Sequence, residues 1–250
     1  MIRIDSVTKA HGALVAVDNV NLELGGGLTA IIGPNGAGKS TLLAAIGRLV
    51  RTDVGAITVD GLDVSATRSR ELARRLAILR QDNHLAIRLS VADLVGYGRF
   101  PHSGSGRTPE DRQHVDRAID ILDLGAVRDR FLDELSGGQR QRAFVAMAMA
   151  QDTDYLLLDE PLNNLDPRYS IGLMNLLRRL VTERNLTIIV VMHDINIAAQ
   201  FADTVVAMRD GQVVQHGPVA EVVTAPILTE LYQTPARVEN LGGRTIVLWE

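Results

Sequence analysis

The stretch Gly33-Pro34-Asn35-Gly36-Ala37-Gly38-Lys39-Ser40-Thr41 fits the pattern G-x-x-x-x-G-K-[ST] at every fixed position, and it dictates what must flank it. Before it, Leu28 to Ile32 is a short apolar run of the kind that makes a buried parallel strand. After it, Ser40 to Leu49 reads as a helix with Leu42, Leu43, Ile46 and Leu49 on one face. Strand, glycine loop and helix start together form an anion site. Backbone N–H groups left unpaired at the helix start point at the ligand, and the helix dipole adds positive potential. Glycine lets the backbone close without a Cβ clash. Lys39 supplies a point charge to the outer phosphates of a nucleotide, and Ser40 a hydroxyl to Mg2+. The bland alternative is a glycine-rich turn that binds nothing. Against it, the chain has two lysines, Lys9 and Lys39, beside 24 arginines, yet keeps lysine where a compact ammonium is needed.

At 250 residues the chain is long enough for one sizeable core, or one domain with a subdomain. It has no cysteine, which excludes a disulfide framework and a thiolate metal site. A net charge of −4 argues against a nucleic-acid footprint, which is usually basic. Its apolar runs are far short of the ~20 residues that span a bilayer, and Met-Ile-Arg-Ile-Asp does not start a signal peptide. The expectation is a chain that does not enter a membrane by itself.

Residues 2–7 and 20–24 alternate as strands, with a turn at Lys9-Ala10-His11-Gly12. Ala56 to Asp60 is another strand. Residues 69–75 look helical, with arginines on a solvated face, and the apolar run Leu76 to Leu79 delivers Gln81. From about residue 87 helical signals replace alternation. Ser90 can cap one helix, and 101–107 reads as a loop. Thr108-Pro109-Glu110-Asp111 starts a helix with Val115, Ile119 and Leu122 buried and Gly125 at its end, and another follows Ser136. The organisation expected is one domain, 1–250: an α/β core of 1–86 and 152–250, a small antiparallel sheet near the N-terminus, and an inserted helical subdomain of 87–151. Asp166-Pro167 begins a long helix ending near Asn185, and Thr187 to Met192 is a buried strand. Strands at 204–208 and 212–216 flank Asp210-Gly211, and a tail of short helices leads to a last strand near Thr245 to Leu248.

Tyr155-Leu156-Leu157-Leu158-Asp159-Glu160 is an apolar strand ending in two acids, and ligands of open α/β sheets sit at the carboxyl ends of strands. Asp159 there can hold Mg2+, and Glu160 can take the proton of an attacking water. Two acids ending a strand in solvent is the plain alternative. His193 follows the strand Ile188 to Met192 and can donate a hydrogen bond beside a γ-phosphate, although a lone histidine in a turn is usually structural. Leu135-Ser136-Gly137-Gly138-Gln139 precedes a helix and is either an ordinary cap or a second anion site. Two such helix starts in one chain suggest that each completes the other's site in a dimer.

Taken in order, Gly33–Thr41, Gln81, Leu135–Gln139, Leu156–Glu160, Asp166 and His193 resemble the Walker A, Q-loop, signature, Walker B, D-loop and H-loop of ABC transporter ATP-binding subunits. The strings Val95-Gly96-Tyr97-Gly98-Arg99-Phe100-Pro101-His102 and Asp159-Glu160-Pro161-Leu162-Asn163-Asn164-Leu165-Asp166 resemble those of iron–siderophore importers. The resemblance covers nearly the whole chain and implies a P-loop NTPase core of the ABC ATPase type. It implies that Gly33, Pro34, Asn35, Gly36, Ala37, Gly38, Lys39, Ser40 and Thr41 bind the triphosphate of ATP. Gln81 is expected at Mg2+ and the attacking water, with Ser40 and Asp159 as further metal ligands. Glu160, His193 and Gln81 carry catalysis. Ser136, Gly138 and Gln139 engage the γ-phosphate held by a second protomer, and Asp166 crosses that interface. The partners implied are polytopic permease subunits, an extracytoplasmic siderophore-binding protein reached through the complex, and a second copy of the chain, with no nucleic acid. The place implied is peripheral, on the cytoplasmic face of the cell membrane. One departure stands out: His11 occupies the position where the family usually has an adenine-stacking aromatic. The rival readings are a soluble ABC ATPase (of iron–sulfur assembly, DNA repair or translation), an importer ATPase for another solute, and a module that binds nucleotide without hydrolysing it.

Overall fold

The computed structural model describes residues 1–80, 87–104, 108–163 and 165–250. They divide into one unit of Met1–Thr67 with Leu177–Glu250 and another of Arg68–Leu176. Gln81 and Asn164 lie outside the described residues.

In the first unit, Ile2–His11 lies between Leu14–Leu24 and Val54–Val59, antiparallel to both, and Leu62–Asp63 completes a four-stranded sheet. The first two strands are longer than the alternation of 2–7 and 20–24 suggests. The turn shrinks to Gly12 and Ala13, with Gly12 at φ 62°. Lys9, Ala10 and His11, expected in that turn, pair with Val17, Val15 and Leu14. Register shifts between Ile4 and Ala10, with Ser6 and Asn19 at positive φ, break the two-residue period that a sequence pattern needs. Beside this sheet, Leu28–Ile32 runs parallel to Thr187–Val191 on one side and Thr204–Arg209 on the other. Gln212–Pro218 pairs antiparallel with the last of these. Leu28–Ile32 and Thr187–Val191 are buried at every residue, which is why both read as unbroken apolar runs.

The helix after the glycine loop is Lys39–Ile46. It is shorter than expected: Gly47 caps it, Arg48 turns left-handed at φ 54°, and Leu49, expected on the buried face, is 46% exposed. The tail adds Val219–Val222, Ala225–Tyr232 and a hairpin, Ala236–Leu241 with Arg244–Trp249, of which only the second strand was legible.

In the second unit, Leu76–Leu79 pairs in parallel with Tyr155–Asp159. Its helices include Val91–Tyr97, Pro109–Ile121 and Gly137–Ala150, capped as expected by Ser90, Thr108 and Ser136. Each cap hydroxyl accepts from the backbone N–H three residues on, and that residue's side chain answers to the cap's own N–H. Three local expectations fail. Phe100–Ser103 is a short helix, not loop. Gly125 opens a 3-10 turn, because Asp123 at φ 53° already ends the preceding helix. Arg70 and Arg74 are not merely solvated. Their Nε atoms both donate to Pro101 O, at 2.8 and 3.0 Å.

Arg99, inside the string 95–102, is 4% exposed and pairs with Asp111, 2% exposed, at 2.9 Å. Its Nη1 also donates to Ala150 O at 2.9 Å. Burial alone pushes the Asp111 carboxyl up. The Thr108 N–H, the Arg99 guanidinium and the Ser103 and Thr108 hydroxyls outweigh it and hold the carboxyl well below the usual range. A carboxyl depressed on folding contributes stability above its unfolded value, about pH 4, and loses it as pH falls towards the folded value. Asp111→Asn leaves the buried Arg99 charge unpaired and should cost roughly 3 kcal/mol at neutral pH. Urea unfolding checks this, and the gap between wild type and variant should narrow below pH 4.

Candidate functional site

The loop Gly33–Gly38 is shaped by contacts that leave no room for side chains. A Cβ on Gly33, at φ 148°, would stand 2.0 Å from Met208 O, and one on Gly38, at φ 95°, 2.1 Å from Ala16 O. A Cβ on Gly36 meets nothing within 4 Å, so the middle of the loop faces open space. Ala37 O accepts from Gly211 N–H at 3.2 Å, and Gly211 O accepts from Asp18 N–H at 2.9 Å. The turn at Asp210-Gly211 thus holds the loop from beneath. Lys39 is 5% exposed, and its ammonium donates to Gly33 O at 2.7 Å and Pro34 O at 2.9 Å. Ser40 and Thr41 follow in the first turn of Lys39–Ile46. The supports Ala16, Met208 and Gly211 were missed by sequence reasoning, since each reaches the loop from far along the chain.

His193 lies just beyond Thr187–Val191 in the same unit, exposed, with Met192 N–H donating to Ile31 O at 3.1 Å. Gly33 and His193 therefore end neighbouring parallel strands. Asp194 caps the helix Ile195–Phe201 by accepting from Ile197 N–H at 3.0 Å. His11 is the exposed last residue of Ile2–His11. Next to it Asp53 accepts from Ala10 N–H at 2.7 Å and from the Lys9 ammonium at 3.0 Å. These bonds, the Ala10 N–H first, lower the Asp53 carboxyl below its ordinary value.

The other named residues belong to the second unit. Asp159 closes the strand Tyr155–Asp159, and Glu160 follows at φ 49°, a left-handed conformation unusual for a glutamate. Asn163 Nδ2 donates to Glu160 Oε2, and Asn163 N–H to Glu160 O at 3.2 Å. Ser136 and Gln139 bond each other: Gln139 N–H donates to Ser136 Oγ at 3.3 Å, and Ser136 N–H to Gln139 Oε1 at 3.1 Å. The helix start expected to be free is thus partly occupied by its own capping box. Gly138 is buried, and a Cβ there would meet the Tyr169 ring at 3.2 Å, a close neighbour that no local signal announces. Asp166 caps the helix Pro167–Arg184, its Oδ1 accepting from Tyr169 N–H at 3.2 Å. No group of three or more potential metal ligands of the His, Cys, Asp or Glu type occurs among the described residues. Among them, too, no helix is long and apolar enough to cross a membrane.

A lysine seated over a glycine loop, between strand and helix, is the structural core of a nucleotide site. The ABC transporter family profile matches residues 17–163, which include that loop, Ser136–Gln139 and the acids 159 and 160. This chain belongs to the ABC transporter family. It is 50% identical over 244 residues to the petrobactin import ATP-binding protein FatE of Bacillus anthracis, covering 97% of each chain. It is 44% identical over 247 residues to the petrobactin import ATP-binding protein YclP of Bacillus subtilis, covering 98% of each. Among solved structures it is similar to MJ0796, a bacterial ABC transporter cassette in dimeric form, with a TM-score of 0.79 at 29% identity, over 88% of this chain and 99% of that one. The fold is that of an ABC ATPase cassette, as the resemblance implied.

Proposed function

We propose that this chain is the ATP-hydrolysing subunit of an ABC importer for ferric siderophores. It works as a homodimer on the cytoplasmic face of the cell membrane, against polytopic permease subunits that an extracytoplasmic siderophore-binding protein supplies. The observation that carries the reading is the full-length likeness to FatE and YclP, two petrobactin import ATP-binding proteins. It favours an importer over a soluble ABC ATPase.

In this reading the ATPase core is 1–86 with 152–250, and the helical subdomain is 87–151. Backbone N–H groups of Gly33–Ser40 and the Lys39 ammonium hold the phosphates. The loop's backbone-tight glycines and its open middle support that role. Ser40, Asp159 and Gln81 hold Mg2+. The hydroxyl and carboxylate are hard oxygen donors that fit it, and the ion neutralises phosphate charge when bound. Glu160 accepts the proton of the attacking water, and the left-handed turn and Asn163 fix its carboxylate. His193 donates to the γ-phosphate, and His11 lies against the adenine with less stacking area than a larger aromatic offers. Ser136, Gly138 and Gln139 engage the γ-phosphate of the partner subunit's nucleotide, and Asp166 meets the partner there.

Deleting the gene in its host should abolish uptake of at least one ferric siderophore under iron limitation, and a plasmid copy should restore it. Normal uptake of every ferric siderophore tested, with import of another solute lost, would move the chain to a different importer branch.

A further inference from the structure

The two segments assigned to the partner subunit's nucleotide, Ser136–Gln139 and Asp166, belong to one unit, and a residue with no role so far makes contact with both. That residue is Tyr169, in the first turn of Pro167–Arg184. A Cβ on Gly138 would stand 3.2 Å from Cγ and from Cδ2 of the Tyr169 ring, and 3.5 Å from Cδ1. Gly138 has no positive φ that calls for glycine, and glycine within a helix is otherwise a weak choice. What asks for glycine there is the ring. It lies along the backbone of the helix start, and Gly138 is buried while Ser136 and Gly137 beside it are exposed.

The same ring is met by the next turn of that helix. Arg142, four positions after Gly138, sets its guanidinium 5.7 Å from the ring centroid. The guanidinium is itself held: Nη1 donates to Leu122 O at 3.0 Å and lies 3.7 Å from Asp123 Oδ2. The Tyr169 main chain meets the other segment. Its N–H is shared between Asp166 O at 3.1 Å and Asp166 Oδ1 at 3.2 Å. Buried Ser170 ties the same turn, its N–H donating to Asp166 O at 3.0 Å.

We infer that Tyr169 is a positioning residue that keys Ser136–Gln139 to Asp166, so that both meet the partner subunit in one fixed setting. This rests on the reading that Ser136–Gln139 engages the partner subunit's nucleotide and that Asp166 meets the partner there. A ring set against Gly138 and Arg142, on a main chain bonded to Asp166, restrains each segment against the other. Preorganised segments bind more tightly, because less ordering remains to be done when two chains meet. The phosphate loop Gly33–Ser40 is in the other unit. Loss of the key therefore weakens closure of the pair and leaves nucleotide binding to a single chain as it was.

The test uses the full chain carrying Glu160→Gln. The dissociation constant of the dimer in ATP is read by light scattering, the ADP affinity of the monomer by calorimetry, and the melting temperature is recorded for each variant. Tyr169→Ala should weaken the ATP dimer roughly tenfold or more, with ADP affinity unchanged. Tyr169→Phe keeps the ring against Gly138 and Arg142 and should dimerise like the parent. A Tyr169→Phe dimer as weak as that of Tyr169→Ala would assign the effect to the hydroxyl and overturn the key. Ser136→Arg separates the two layers of the argument. If it leaves the ATP dimer intact, the assignment of Ser136–Gln139 is wrong. If it removes the dimer while Tyr169→Ala lowers only the melting temperature, or lowers ADP affinity as well, the key is wrong. Should Tyr169→Ala fail to fold, Tyr169→Leu, which keeps bulk without an aromatic face, should also weaken the dimer, and a dimer of parental strength would overturn the inference.

Discussion

Lys39→Ala should abolish ATP hydrolysis while the chain stays folded. The Lys39 ammonium already sits over the loop, held by the carbonyl oxygens of Gly33 and Pro34. A bound triphosphate offers the same ammonium a stronger, charge-assisted partner. Removing it leaves the backbone N–H cradle but deletes the positive charge where negative charge gathers during phosphoryl transfer. Loss of one such group costs on the order of 100-fold or more in turnover. Lys39→Arg should not rescue. The guanidinium is a planar fork, and the side chain lies buried in a loop whose flanking glycines already touch backbone. Phosphate release reads the loss, and far-UV circular dichroism checks the fold. Near-normal turnover in Lys39→Ala would remove the loop from the catalytic site.

What the sequence made legible follows from where each signal is stored. Leu28–Ile32, Tyr155–Leu158 and Thr187–Val191 are buried at every residue and therefore almost wholly apolar, so composition alone marks them. The caps at Ser90, Thr108 and Ser136 are legible because donor and acceptor lie three residues apart. Ile2–His11 was read too short because its bulges are dictated by pairing with two other strands, including the bond from Ser6 N–H to Asn21 Oδ1. The first strand of the last hairpin, Ala236–Leu241, has no fully buried residue and so no sharp alternation. The same logic divides the site. Gly33–Thr41 is contiguous and can be read directly, whereas the carbonyls that force glycine at Gly33 and Gly38 belong to Met208 and Ala16. Tyr169 against Gly138 is likewise a meeting that only the folded chain brings about.

The central claim is that two copies of this chain close on ATP, each supplying Gly33–Ser40 to one nucleotide and Ser136–Gln139 to the other. ATP then adds binding energy only to the closed pair and shifts the monomer–dimer equilibrium by its differential affinity for the two states. Hydrolysis dissipates the closed pair, so the wild type should run mostly as a monomer. Glu160→Gln keeps the shape of the side chain and removes the proposed base, so ATP accumulates unhydrolysed. Ser136→Arg puts a long side chain at the facing helix start. As the loss of a helix cap it should cost only about 1 kcal/mol, too little to unfold the chain. The deciding measurement is the molecular mass of Glu160→Gln by size exclusion with light scattering, in ATP and in ADP. The account predicts a dimer with ATP, a monomer with ADP, and a monomer in both once Ser136→Arg is added. A Glu160→Gln variant that stays monomeric in ATP, or a double variant that still dimerises, would contradict it.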